Sequence, residues 1–241
     1  MSRAKSSQAH RFSFPRRCSP HLLLVSQTVV AFIVVAFLTM AFVRLAGEVR
    51  EQETLPFDSS VLMYLNTHST HFLDGVLPIA TDIGGAIGVG ALTLLFGGIF
   101  IYRREYTRVA ILMIAVIGVA ALNLILKAVF MRPRPDLWLQ LVHETGYSFP
   151  SGHAMMSAGF GIALAIILWR SRWRWWGIGF ATSYILFVGF SRLYLGVHYP
   201  TDIIAGWFVS TAWVLVTVLV VQSRIGQHVF RRFAQTVTTK K

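Results

Sequence analysis

Three cations, two imidazoles and one carboxylate fall within residues 127–202 of the 241-residue chain, in three polar islands that each end a long apolar run. The first island is Lys127 with Arg134-Pro135, the second Pro150-Ser151-Gly152-His153, and the third Ser191-Arg192 with His198 and Asp202. Together they form an inventory for holding and cleaving a phosphate. Arginine presents a planar fork matched to phosphate oxygens, and lysine presents a point charge. Arg132 shares a proline-stiffened loop with Arg134 and reads as a loop charge in preference to a second ligand.

In the second island, Pro150 suits the start of a helix and Gly152 lets the backbone approach a ligand closely. Backbone N–H groups at a helix N-terminus favour an anion, and the Ser151 hydroxyl adds a donor. His153 stands one residue further in, placed to give a proton to a leaving oxygen. In the third island His198 and Asp202 are four residues apart across Pro200, and share a face if the following helix reaches back to His198. A carboxylate on one ring nitrogen would leave the other free as a nucleophile. Each island also has a plain reading alone: a snorkelling lysine, an ordinary helix start, a helix-dipole partner beside an interfacial histidine.

The elements that must position these residues follow from composition. With 55% hydrophobic and 13% charged residues and a mean hydropathy of +0.60, the chain cannot cover a globule with polar groups. A bilayer is the natural cover. The net charge of +12 would suit nucleic acid, but the basic residues concentrate in short loops and make no basic face, so no nucleic-acid partner is expected. Cys18 is the one cysteine, which excludes an internal disulfide and a cysteine metal cluster.

The expected fold is all-α: an integral membrane bundle of six spans at about 21–43, 84–102, 107–128, 153–169, 175–192 and 201–222. The first run exceeds a signal peptide's apolar region of about 7–15 residues, so it reads as a retained transmembrane helix. A short interfacial helix at about 59–75, capped by Asp58, completes the membrane domain of residues 21–222. Residues 1–20 read as a basic, disordered cytoplasmic arm and 223–241 as a basic cytoplasmic tail. On a six-span layout one side carries sixteen Lys and Arg with one acid, and the other carries six with nine acids. That asymmetry places both termini in the cytoplasm and all three islands on the outer face of a plasma (inner) membrane.

Jointly, K-x6-R-P, P-S-G-H and S-R-x5-H-x3-D resemble the three signature motifs of the type 2 phosphatidic acid phosphatase superfamily, over roughly residues 55–215. That superfamily also contains soluble acid phosphatases and vanadium-dependent haloperoxidases. Every motif position is present. The resemblance implies that His198 attacks phosphorus to form a phosphohistidine, with Asp202 orienting it. It implies that His153 protonates the leaving oxygen and then activates water, while Lys127, Arg134, Ser151, Gly152 and Arg192 hold the phosphate. It further implies no metal and no cofactor. The substrate implied is a membrane lipid phosphate: undecaprenyl diphosphate or phosphatidylglycerophosphate first, phosphatidate next. A phosphotransferase passing the group to another acceptor is the alternative, and a non-catalytic lipid-phosphate-binding protein would have lost motif positions. A transporter would carry charges within its spans, whereas these lie at span ends.

Overall fold

The computed structural model describes residues 20–138, 140 and 142–223, with side chains from Thr28 onward. The basic arm and nearly all of the basic tail lie outside the described residues, as does Cys18. Every described regular element is helical: α1 (Pro20–Arg50), α2 (Leu55–Thr67), α3 (His71–Ala80), a 3-10 turn (Thr81–Gly84), α4 (Ala86–Tyr102), α5 (Tyr106–Phe130), α6 (Gly152–Leu168), α7 (Arg174–Tyr194) and α8 (Pro200–Gln222).

The expected helix over 59–75 is two helices. Its polar middle breaks it: Thr67 Oγ1 donates to the Tyr64 carbonyl, and His68 Nδ1 lies 2.8 Å from the same oxygen. These side chains compete for a carbonyl the helix would otherwise use. Thr70 then adopts extended backbone and caps α3 by accepting from Leu73 N. Asp58 is likewise not the cap. The helix starts at Leu55 with Thr54 as the residue before it, and Asp58 turns inward to full burial.

α1 runs seven residues beyond its expected end, through the acidic stretch, where Arg44 and Glu48 pair at i, i+4. Segments Thr28–Arg50, Tyr106–Phe130 and Pro200–Gln222 are long and apolar enough to cross a membrane. A fourth crossing results if α3 with its 3-10 turn and α4, bent by 52°, count as one. α6, at 17 residues, is about 26 Å long at the usual rise, just short of a hydrocarbon core. Exposed Phe32, Phe37 and Met40 on α1 and Leu94 and Leu95 on α4 form the surface that lipid would cover.

α6 is the central post, packing against α5, α7 and α8. Its Ala154, Met155, Ala158, Phe160, Ala163 and Leu164 are buried, and the core continues through Leu112, Val116, Val188 and Val214. Small residues allow these close approaches in lipid. At Gly84 an added Cβ would stand 2.3 Å from Val188, so the 3-10 turn can press on α7 only with glycine there. Phe42 of α1 stacks on Phe149 with Phe130 edge-on to both, fixing α1 against the entry to α6.

Gly84→Ala should therefore lower thermal stability in detergent by about 1–3 kcal/mol through overpacking. Adding Val188→Ala should recover part of that loss. A double variant as unstable as the sum of the two single variants would show that this contact does not set the packing.

Candidate active site

The site is built where helices end. Lys127 lies in the last turn of α5, Arg192 in the last turn of α7, His153 in the first turn of α6, and Asp202 in the first turn of α8. An antiparallel arrangement brings those four ends together. Arg103, Arg104, Arg170 and Arg172 belong to loops at the opposite ends of the same helices. His198 comes from the α7–α8 loop, and Arg134 from the long loop between α5 and α6.

The third island is held by a helix cap. Asp202 occupies the third position of α8, where its Oδ2 accepts from Tyr199 N at 2.9 Å. The same Oδ2 lies 3.3 Å from His198 Nδ1. His198 sits two residues before the helix begins, so the expected helical i, i+4 face is replaced by capping geometry. The pairing expected from the sequence survives. The other ring nitrogen, Nε2, lies 3.1 Å from Arg134 Nη1, an arrangement that requires the Nδ1–H tautomer. His198 is fully buried, and burial, then Arg192, Arg134, Lys127 and His153, push its pKa well below 6.5. The ring is neutral at physiological pH.

Arg134 is anchored on several sides. It donates to the carbonyls of Gly146, Val197 and Thr145 at 3.1, 2.9 and 3.2 Å. Arg192 is 1% exposed and donates to Thr81 Oγ1 at 3.3 Å. Ser191 Oγ shares the same threonine at 2.9 Å. Among the described residues, the buried Arg192 Nε has no hydrogen-bond partner. A buried guanidinium nitrogen left open is unusual, and an anion oxygen would satisfy it.

Glu144 joins the two arginines, with one carboxylate oxygen on Arg192 Nη2 and the other 3.4 Å from Arg134 Nη2. Burial alone would raise its pKa, but Arg192 foremost, with His153 and Arg134, holds it below the usual value. Its ionised carboxylate bridges the two guanidinium groups that the sequence assigns to phosphate. Sequence reasoning missed it, because a single acid in the long loop 131–151 carries no spacing signal.

The second island is partly committed to the scaffold. Ser151 N donates to the Asp202 carbonyl at 3.1 Å, and Ser151 Oγ caps α6 by accepting from Ala154 N. The helix starts at Gly152, two residues later than Pro150 implies. The Gly152 N–H and the Ser151 hydroxyl proton are thus the donors this island can offer. Asn123 Nδ2 donates to the Pro150 carbonyl at 3.1 Å, fixing the loop to α5. The His153 ring lies against Gly85, where a Cβ would stand 3.0 Å from its Nε2.

Arg132 is not the loop charge expected of it. Its Nη1 donates to Asp202 Oδ1 at 2.7 Å and Thr201 Oγ1 at 2.8 Å, and its Nη2 to Asp58 Oδ2 at 2.8 Å. The guanidinium also lies 4.0 Å over the Tyr199 ring. Two residues apart in one loop, Arg132 thus bonds Asp202 while Arg134 bonds the far ring nitrogen of His198.

Comparison with known proteins bears on the family and the fold. Residues 108–225 match the PAP2 superfamily. Phosphatidylglycerophosphatase B of Bacillus subtilis is 35% identical over 143 residues, 56% of this chain and 69% of that protein. An undecaprenyl-diphosphatase of Sulfolobus acidocaldarius is 28% identical over 172 residues, 68% of this chain and 77% of that protein. The crystal structure of a transmembrane PAP2-type phosphatidylglycerolphosphate phosphatase from Bacillus subtilis superposes with a TM-score of 0.70 at 27% identity, covering 76% of this chain and 94% of that one. Aquifex aeolicus LpxE shares the fold at a TM-score of 0.57 and 24% identity.

Two outcomes follow from the charges. Glu144→Gln removes the resident anion, so inorganic phosphate should bind on the order of tenfold more tightly, read as a larger ligand-induced rise in thermal midpoint. Equal or weaker binding would mean that Glu144 holds Arg192 in place instead of competing for it. His198 has a folded pKa below its unfolded value near 6.5, so between the two the unfolded chain binds the extra proton. Its contribution to stability is present above about pH 6.5 and is lost as pH falls below it. The thermal midpoint should drop less steeply from pH 6.5 to 5 in His198→Ala than in the parent, and equal slopes would contradict the neutral buried ring.

Proposed function

The chain belongs to the PAP2 superfamily and is a membrane lipid phosphatase of that type, and from this premise we propose that it works through a phosphohistidine on His198. The observation that carries the proposal is the direction of the His198 ring. Its Nδ1 faces Asp202 and its Nε2 lone pair faces Arg134, one of the two arginines that Glu144 bridges.

A phosphoryl group entering this space displaces the Glu144 carboxylate from the two arginines. Lys127, Arg134, Arg192 and the Gly152 N–H then hold the equatorial oxygens, where charge accumulates in the transition state. As Arg134 Nη1 turns from His198 to a phosphate oxygen, it frees the Nε2 lone pair, which attacks phosphorus as the bond to the leaving oxygen breaks. His153, protonated in the presence of the phosphate charge, gives its proton to that oxygen. Asp202 balances the positive charge that the ring acquires on becoming phosphorylated. Water then attacks phosphorus and passes a proton to His153, the N–P bond breaks, and His198 returns to its neutral form. Side-chain cations perform the charge neutralisation that a divalent metal performs in other phosphoryl-transfer enzymes.

The substrate best suited to this site keeps its tail in the bilayer and presents its phosphate at the interface. Undecaprenyl diphosphate and phosphatidylglycerophosphate rank first. Similarity to enzymes named for each supports both. The charge distribution supports six spans, cytoplasmic termini and an outward-facing site, since the Arg-rich loops lie at the helix ends opposite the motifs.

Purified protein should release phosphate from a panel of these lipids with EDTA present, and the preferred lipid is the one with the highest kcat/KM. Complete loss of turnover in EDTA would overturn the metal-free route. His198→Ala and His153→Ala should each lower turnover by at least about 100-fold, and near-parental rates in either would mean that its role is misassigned.

A further inference from the structure

The catalytic carboxylate has a rear side that the mechanism does not use. Asp202 points Oδ2 at His198 and Tyr199 N, and its Oδ1 is bonded to Arg132. Arg132 is in turn bonded to Asp58 of α2, 74 residues earlier in the chain. Asp58 is fully buried and saturated with donors: Thr54 Oγ1 at 3.1 Å, Thr201 N at 3.1 Å, Thr201 Oγ1 at 2.7 Å and Arg132 Nη2 at 2.8 Å. Burying a second carboxylate beside the first is costly, and apolar residues of the same size would pack α2 against α8 as well or better. The arrangement therefore calls for an electrostatic explanation.

We propose that Asp58 and Arg132 are positioning residues for the nucleophile, in a relay Asp58–Arg132–Asp202–His198 that fixes the Asp202 carboxylate and keeps its negative charge available to the ring. This rests on the phosphatase reading above.

Two properties of the relay support it. The first is geometric. The planar fork of Arg132 reaches both carboxylates at once, and its Nη1 holds Oδ1 so that Oδ2 stays towards His198. The ring of Tyr199 closes one face of the guanidinium, which removes its freedom to swing away. The second is the charge count. Around His198, Lys127 of α5, His153 of α6, Arg192 of α7 and Arg134 of the α5–α6 loop are all cationic or become so, and Asp202 of α8 is the carboxylate bonded to the ring. If Arg132 served Asp202 alone, that pair would be neutral. Shared between two carboxylates, it leaves one net negative charge behind the ring. That charge is needed when Nε2 takes the phosphoryl group and the imidazole becomes positive.

The test compares Asp58→Asn and Arg132→Lys with the parent, using full-length protein in detergent and the lipid phosphate that the parent hydrolyses. Asp58→Asn keeps the shape and an oxygen that can accept from Thr201 N, but its amide NH2 cannot accept from Arg132, which is left to neutralise Asp202. Arg132→Lys keeps the charge but loses the fork. In each, kcat should fall by roughly 10- to 100-fold, the effect of one charged hydrogen bond. KM and competitive inhibition by inorganic phosphate should stay within about threefold, because the clamp is untouched. Parental kcat in folded Asp58→Asn, or a parallel weakening of kcat and of phosphate inhibition, would overturn the positioning role. If Asp58→Asn does not yield folded protein, Arg132→Lys reads the same split alone. A parent that releases no phosphate would overturn the phosphatase reading, whereas an active parent with equally active variants overturns only the relay.

Discussion

The Asp202 carboxylate is where the structure's separate parts meet. It caps its own helix at Tyr199 N, faces His198, and accepts from Arg132, while its backbone carbonyl accepts from Ser151 N. Through these contacts one residue in the first turn of α8 sets the α7–α8 loop, the entry to α6 and the start of the long α5–α6 loop. Phe149, buried against Phe42 and Phe130, extends the same contact network to α1. A buried carboxylate is tolerable only when its lone pairs are fully used. That requirement forces the three motif segments into one register. The chemistry and the fold are therefore specified by the same hydrogen bonds.

Cations dominate the other side of His198, and they cannot be gathered in a low-dielectric setting without a counterion. Arg134 and Arg192 repel each other across the space that a phosphate would fill, and Glu144 relieves that repulsion in the free protein. The cost of assembling the clamp is thus offset by a group that the substrate can replace. The exchange is between two anions with similar fork-matching oxygens. Affinity for phosphate is then set by the difference between them and not by the sum of the cation contacts. The unpartnered Arg192 Nε marks the donor that a two-oxygen carboxylate does not reach and a phosphate with three free oxygens can.

Legibility in the sequence followed the range of the interactions. The motif side chains lie at helix ends, next to abrupt changes in polarity, so Lys127, His153, Arg192 and Asp202 could be read together with the helices that carry them. The His198–Asp202 pair was visible as spacing, although a cap and not a helical face produces it. The split between α2 and α3 was not legible, since it depends on which side chains win the Tyr64 carbonyl. Asp58 and Arg132 were misread for a different reason. Local rules assign an acid before an apolar run to a cap, and an arginine between prolines to a loop. Only the tertiary fold brings Asp58 and Asp202 together on the one Arg132 guanidinium. Glu144 belongs with them, as a long-range ion pair with no local signature.

The same distinction explains why α2 is retained in so small a membrane domain. A bundle of α5, α6, α7 and α8 already places every motif residue, and α2 adds neither a crossing nor a ligand to the phosphate space. What it adds is Asp58, at the far end of the chain of contacts behind the nucleophile. Arg132 without that acid would be a cation against the carboxylate that must remain negative. Removing Arg132 as well would leave Asp202 held by the Tyr199 N–H, the Ser148 side chain and the ring it is meant to orient. A short helix outside the catalytic bundle thereby becomes part of the electrostatics of the reacting nitrogen.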